Sequence, residues 1–598
     1  MENHVKGKPL WALTAKLSFA AQGKLKADTV IKGGKLVNVI TAEIIPEVDV
    51  AIKYGRIVLV GKADHTIGTE TKIIDARDYY LVPGFLDGHI HVESSMVSLS
   101  EFSRAVIPNG TTAIFMDPHE IANVLGVEGV KLMMREGEHL PLKVYTTMPS
   151  CVPAAPGFED AGAKFGAEEI KESMQWPGVI GLGEMMNFPG VLAGDAEVHR
   201  ELMATLEAGK VITGHYSIPE TEIGLQAYIA AGIRSDHEST HPEDALAKMR
   251  LGMYAKLREG SAWHDVKATI KAITETRVDS RFGILVSDDT HPNTLLVLGH
   301  LNHVVKRAVE EGLDPIRAIQ MVTINTAQCF GLDHELGSIT PGRCADILLI
   351  KDLAAMKVNK VIINGETVAE EGKMLIDLPA FEYPEFAKNS VHLKKSLKPE
   401  DFIITSPPGS QKVTARVIEI IEARVGTLQR QLELPVSDRQ IHASVEHDVA
   451  KLMCLERHGG PGTAGLGLVK GFQLKGGAVA STVAHDSHNL LIMGMNDRDM
   501  ALAGNTLAGC GGGMVVVRDG KILALLPLPI AGLMSDRPVE SVAEQVRALD
   551  KAWKEIGCPL VSPFMTMALL SLPVLPELRL TNRGLVDTIN FTFVDLVV

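Results

Sequence analysis

No stretch of this 598-residue chain approaches the roughly 18 uninterrupted apolar residues of a membrane-spanning helix. The longest candidate, GKILALLPLPIAGLM at 520–534, is broken by two prolines, so no membrane partner is expected. The opening MENHVKGKPLWALTAKLSFAAQGK has an apolar segment interrupted by lysines, which fits a helix better than a signal peptide. Cysteine is scarce: six residues, at 151, 329, 344, 454, 510 and 558, with no C-x-x-C pair. That speaks against a disulfide framework and for a reduced, cytoplasmic protein. Long Lys/Arg runs are missing and the net charge is −14, so no nucleic-acid surface is expected. The chain also has no G-x-x-x-x-G-K-[ST] phosphate loop, no internal repeat and no low-complexity segment.

What is present describes a large globular protein. Hydrophobic residues make up 46% and charged residues 22%, and the length suggests about three or four domains. Residues 26–82 read as short strands with turns at Gly33-Gly34 and Tyr54-Gly55, and a similar texture returns at 337–373. Between them eight apolar runs alternate with amphipathic helical ones: PGFLDGHIH, TTAIFMDP, LKVYTTMP, VIGLGEMM, KVITGHYS, GIRSDHE, GMYAKLREGS and FGILVSDD. The expected fold class is α/β: a (β/α)8 TIM-like barrel with a split β-sandwich and an additional C-terminal α+β domain. The expected limits are 1–82 for the N-terminal segment and first part of the sandwich, and 83–330 for the barrel. The second part of the sandwich and a linker take 331–400, and the C-terminal domain 401–598.

The first run ends in PGFLDGHIHVESSM, 83–96. A strand sends alternate side chains to one face, so His89 and His91 point together and Ile90 points away. Taken alone, H-x-H also describes two polar residues where a strand leaves the core. The other runs end in the same way: Glu184 closes run four, His215 run five, His237 run six and Asp288 run eight. Active sites of such barrels lie where the strands end at their C-terminal side. Four imidazoles and two carboxylates gathered there can hold two divalent metals, with one carboxylate bridging them.

These residues resemble the amidohydrolase superfamily, and within it the bacterial adenine deaminases. PGFLDGHIHVESSM, MDPHEIANVLG, GLGEMMNFPGV, AYIAAGIRSDHES and SDDTHPNTL carry the resemblance, with AHDSHNLLIMGMND and AGCGGGMVVVRDG far downstream. It implies His89, His91, Glu184, His215, His237 and Asp288 as ligands of two divalent metals, Mn2+ or Fe2+, with Zn2+ suited to the same donors. Glu184 stands where many members carry a bridging carboxylated lysine. The implied reaction is hydrolytic deamination of adenine to hypoxanthine and ammonia in purine salvage, with adenine and water as substrates and a homodimer as the working unit. The turn after His215 departs from the pattern, since HYSIPETE places Tyr216 where the relatives have a small-residue-Pro-Gly-Leu turn, and that bears on the pocket more than on the metals.

The chemistry assigns further roles. Bound metal lowers the pKa of water from about 16 towards 7. Asp288 would take that proton and pass one to the leaving amine. Glu120, in DPHE, is the candidate acid for the purine ring if an apolar pocket raises its pKa, and a helix-opening carboxylate otherwise. Glu93, Ser94 and Ser95 either bond substrate or start a helix. Arg258 and Ser261, after run seven, are further candidates for substrate contact. His485 and His488, in VAHDSHNLLIMG, belong either to a lid over the barrel mouth or to a surface loop, and glycines 504–517 suit a close approach to another surface. The alternative activity is hydrolysis of a different aminated heterocycle or a cyclic amide; a non-catalytic scaffold is the remote alternative.

Overall fold

The computed structural model describes residues 9–276, 278–422 and 424–598. A helix at Thr14–Ala21 lies where the lysine-interrupted N-terminal segment suggests one. No helix of the described residues is long and apolar enough to cross a membrane.

All eight apolar runs form parallel barrel strands. They are Phe85–His91 (strand one), Thr111–Met116, Lys143–Met148, Val179–Met185 (strand four), Val211–Gly214, Ile233–Asp236, Tyr254–Arg258 (strand seven) and Gly283–Val286 (strand eight). Strand one is buried along its whole length, which explains why it reads as a continuous run rather than an alternating one. Strand eight closes the barrel in an unusual manner. Up to Val286 it pairs with strand seven; Asp288 and Asp289 then pair with Ile90 and His91 of strand one. Asp288 has φ +59°, a left-handed conformation that Asp enters more readily than bulky residues. The same turn that closes the sheet therefore aims Asp288 at His89 and His91.

The two β-rich pieces on either side of the barrel join one sheet, because Ile347–Ile350 pairs antiparallel with Tyr80–Pro83. Beyond the barrel, a ten-stranded sheet over 404–527 is backed by the helices Asp497–Gly509 and Val539–Glu555, and a three-stranded sheet over 578–594 follows. The glycines at 504–517 do not approach the barrel as expected. Gly512 and Gly513 pack within this unit, where a Cβ would meet Gly532 Cα at 2.6 Å and the Leu526 carbonyl at 2.0 Å, while Gly504 and Gly511 lie against Leu397 and Lys388 of the preceding segment.

Candidate metal centre

The six expected ligands converge. His89 Nε2 lies 3.6 Å and His91 Nε2 3.3 Å from Asp288 Oδ1, and His91 Nε2 is 3.4 Å from Glu184 Oε1. The other oxygen of Glu184 lies 2.6 Å from His215 Nδ1 and 3.1 Å from His237 Nε2. Glu184 thus stands between a strand-one pair and a pair from strands five and six, as a bridging carboxylate must. All six are buried except His215, which is slightly open.

Local structure explains these orientations. His91 Nδ1 lies 2.9 Å from the Asp117 carbonyl, so its ring proton sits there and the Nε2 lone pair faces the centre. Asp117 also accepts the Glu184 N–H at 2.7 Å, and Gly183 permits this: a Cβ there would meet Asp117 Oδ2 at 2.6 Å. Several donors at the centre, His89 Nε2, Glu184 Oε1, His119 Nδ1 and His237 Nδ1, are buried without a hydrogen-bond partner among the described residues. Orphaned lone pairs of this kind in an imidazole and carboxylate set fit divalent cations. His89, His91 and Asp288 form one set of mutually close donor atoms; His89, Glu184 and His237 form another, and His91, His119 and Glu184 a third.

Burial pushes the Glu184 carboxyl up, but His237, His119 and His215 outweigh it and hold it well below the usual range. Asp288 is likewise held low against burial by His91, Arg258, His237 and His89.

Sequence reasoning missed His119, whose Nδ1 is 3.1 Å from Glu184 Oε1. Its signal was present in DPHE, directly after strand two, one residue before the glutamate that drew attention. Glu238, 3.5 Å from His237 Nε2, was missed too, as the neighbour of a chosen histidine, and Asp486, in the polar cluster of His485 and His488, comes within 3.8 Å of His119 Nε2.

The remaining candidates divide. Glu120 stands in the first turn of the helix His119–Glu138, so the helix-opening description fits its position. The raised pKa expected for it does not hold: burial pushes it up, yet His485, His488 and His119 keep it well below the carboxylate range. Arg258 is not free for substrate through Nε and Nη1. Nε donates to Asp265 at 2.7 Å, and Nη1 donates to Glu238 and, at 3.2 Å, to Asp288. Ser261 is likewise committed, donating to Thr294 at 2.8 Å and accepting the His291 N–H at 2.7 Å. Ser95 ends the short turn Val92–Ser95 and donates back to the Val92 carbonyl at 2.6 Å, while Ser98 caps the next helix. Ser94 reaches across to Asp289 at 2.5 Å, and Glu93 accepts the Ile121 N–H while its second oxygen is buried and unpartnered. Burial and then Glu120 raise the Glu93 carboxyl to about 7.

His485 and His488 are not on a surface loop. They are 5% and 0% exposed, and His485 Nδ1 lies 2.8 Å from Glu120 Oε1, so the C-terminal unit packs directly onto the strand-two end of the barrel. Tyr216, the departure after strand five, packs in the core against Phe188 and Tyr228 and donates to Glu220 at 2.8 Å.

A barrel with H-x-H on strand one, histidines on strands five and six, an aspartate on strand eight and a strand-four carboxylate between them defines a metal-dependent hydrolase of the amidohydrolase class. The amidohydrolase family model matches residues 80–368, and a model for the adenine deaminase C-terminal domain matches 424–592. An adenine deaminase of Moorella thermoacetica is 68% identical over 590 residues, 99% of each chain. One of Clostridium botulinum is 60% identical over the whole of both chains, and one of Mesorhizobium japonicum 48% identical over 99% of this chain and 98% of its own. The chain belongs to the adenine deaminase family of the amidohydrolases.

Proposed function

We propose that this protein hydrolyses adenine to hypoxanthine and ammonia. The observation that carries the reading is the 68% identity with the Moorella adenine deaminase from end to end, C-terminal unit included. Two divalent ions, when bound, supply hydroxide at neutral pH. His89, His91 and Asp288 would hold one and His215 and His237 the other, with Glu184 between them. Mn2+ or Fe2+ is the proposed pair, and Zn2+ suits the same donors.

Asp288 is the proton carrier. It takes the proton released as the water oxygen adds to C6 of the purine, and passes it to the departing amine. Arg258, on Oδ2 of the same carboxylate, keeps Asp288 aimed at strand one. The guanidinium of Arg258 is bound through Nε and Nη1 to Asp265, Glu238 and Asp288 rather than held out for a phosphate, which supports the free base as substrate. Tyr216 is turned into the core, so the altered turn after His215 gives no ground for a different heterocycle. We assign the enzyme to purine salvage in the cytoplasm, working as a homodimer; its six free cysteines suit a reducing compartment.

The test is to load metal-free protein with Mn2+, Fe2+ or Zn2+ in turn and follow adenine absorbance. Turnover with at least one metal is expected, and none with any metal would refute the reading.

A further inference from the structure

Three side chains at the junction of the barrel and the C-terminal unit form an arrangement that the metal ligands do not use. Glu120 follows strand two; His485 and His488 come from residues 484–489, between the strands Ala478–Ser481 and Leu490–Gly494. The Ala484 N–H donates to His488 Nδ1 at 3.0 Å, which leaves the ring proton on Nε2, against Glu120 Oε2. His485 Nδ1 lies 2.8 Å from Glu120 Oε1. Each oxygen of Glu120 therefore faces an imidazole N–H, and the carboxylate orients rings rather than substrate.

His485 Nε2 is buried and has no hydrogen-bond partner among the described residues. Its Nδ1 is held by Glu120 Oε1, which also lies 3.3 Å from His119 Nε2, and His119 Nδ1 lies 3.1 Å from Glu184 Oε1. His485 is thus joined to the metal centre through Glu120 and His119, beside strand one and its histidines His89 and His91.

We propose that His485 donates the proton to ring N1 of the purine through Nε2, with Glu120 as its positioning residue and His488 holding Glu120. This rests on the deaminase reading above and moves the ring acid from Glu120 to the C-terminal unit. Burial lowers the His485 pKa, but Glu120, Asp289 and Asp486 around it raise it to about 9, so the ring carries both protons at neutral pH. In the addition step the water oxygen bonds to C6, one water proton goes to Asp288 and the His485 proton goes to N1. In the elimination step the C6–N6 bond breaks and N6 leaves as ammonia with the proton from Asp288. The remaining oxygen proton returns through solvent to His485, leaving C6=O and N1–H.

The experiment compares wild type, His485→Ala, His485→Gln and Glu120→Gln, each loaded with Mn2+ and analysed for metal. General acid catalysis typically contributes about 10²–10⁴ in rate. For both His485 variants we expect kcat to fall by at least about 100-fold, KM to change less than about fivefold and two metal equivalents to be retained. Added imidazoles should restore part of the His485→Ala rate, more so for those whose pKa favours donation, and Glu120→Gln should fall in between. A His485→Ala rate within about fivefold of wild type, or His485 variants that imidazoles do not rescue, would overturn the proposal. A third tightly held metal equivalent in the wild type that His488→Ala removes would overturn it as well, since the three residues would then be ligands. A wild type that leaves adenine untouched refutes the deaminase reading itself; active wild type beside unimpaired His485→Ala refutes only this inference.

Discussion

Glu184 and His215 are joined through Oε2 and Nδ1 at 2.6 Å, and the opposite oxygen of the same carboxylate lies 3.4 Å from His91. One side chain on strand four thus touches the histidines of strands one and five, and its charge holds the two halves of the centre together.

For Glu184→Gln, the amide keeps the shape but brings no negative charge to offset two cations. Metal analysis after gel filtration should find less than one equivalent per chain, with the far-ultraviolet circular dichroism of wild type. Two tightly held equivalents would contradict the bridging role.

Asp288→Asn should keep most of its metal and lose at least about tenfold in kcat, or roughly 1.4 kcal/mol of barrier. The amide cannot accept the water proton. A smaller loss, measured on protein with two equivalents bound, would show that Asp288 is not the carrier.

Arg258 is a buried cation among Glu238, Asp265 and Asp288. Replacing it by Met leaves three carboxylates facing one another. Breaking a buried pair costs about 3–5 kcal/mol, so the urea midpoint of the metal-free protein should fall clearly. A midpoint equal to wild type would mean that these contacts are weak.

Glu201 lies in the helix Ala196–Glu207, away from the metals, and burial followed by Asp195 and Glu169 raises its pKa to about 8. The unfolded chain releases this proton near 4.5, the folded chain only near 8, so the folded state binds more protons across that window. Stability therefore falls as pH rises from about 4.5 to 8 through this group. Glu201→Gln should remove that loss and stabilise the protein at pH 8 by on the order of 2 kcal/mol, with little change at pH 4.5. Urea denaturation at both values checks it.

Arg258 is engaged through Nε and Nη1 by Asp265, Glu238 and Asp288, so those atoms are not available to clamp a phosphate at the strand ends. AMP should react with a kcat/KM at least about 1000-fold below that of adenine. Comparable values would contradict the assignment of the free base.

The barrel was legible because most of its strands are buried on both faces and read as compact apolar runs, and because strand geometry makes H-x-H converge. Ligands at strand ends followed from the same rule. His119 escaped it because strand two ends at Met116 and the histidine opens the next helix. Arg258 and Ser261 looked available because their partners, Glu238, Asp288 and Thr294, are distant in sequence and only the fold brings them near. Glu120 looked like an apolar-pocket acid because the two imidazoles that hold it come from residues more than 360 positions away. Pairing between chain segments, rather than local pattern, decided each of these.

The most direct test of a two-metal adenine hydrolase is to titrate metal-free protein with Mn2+ while measuring hypoxanthine formed from adenine. The rate should rise with added metal and level off at two equivalents per chain. A plateau at one equivalent, or no hypoxanthine at any loading, would contradict the account.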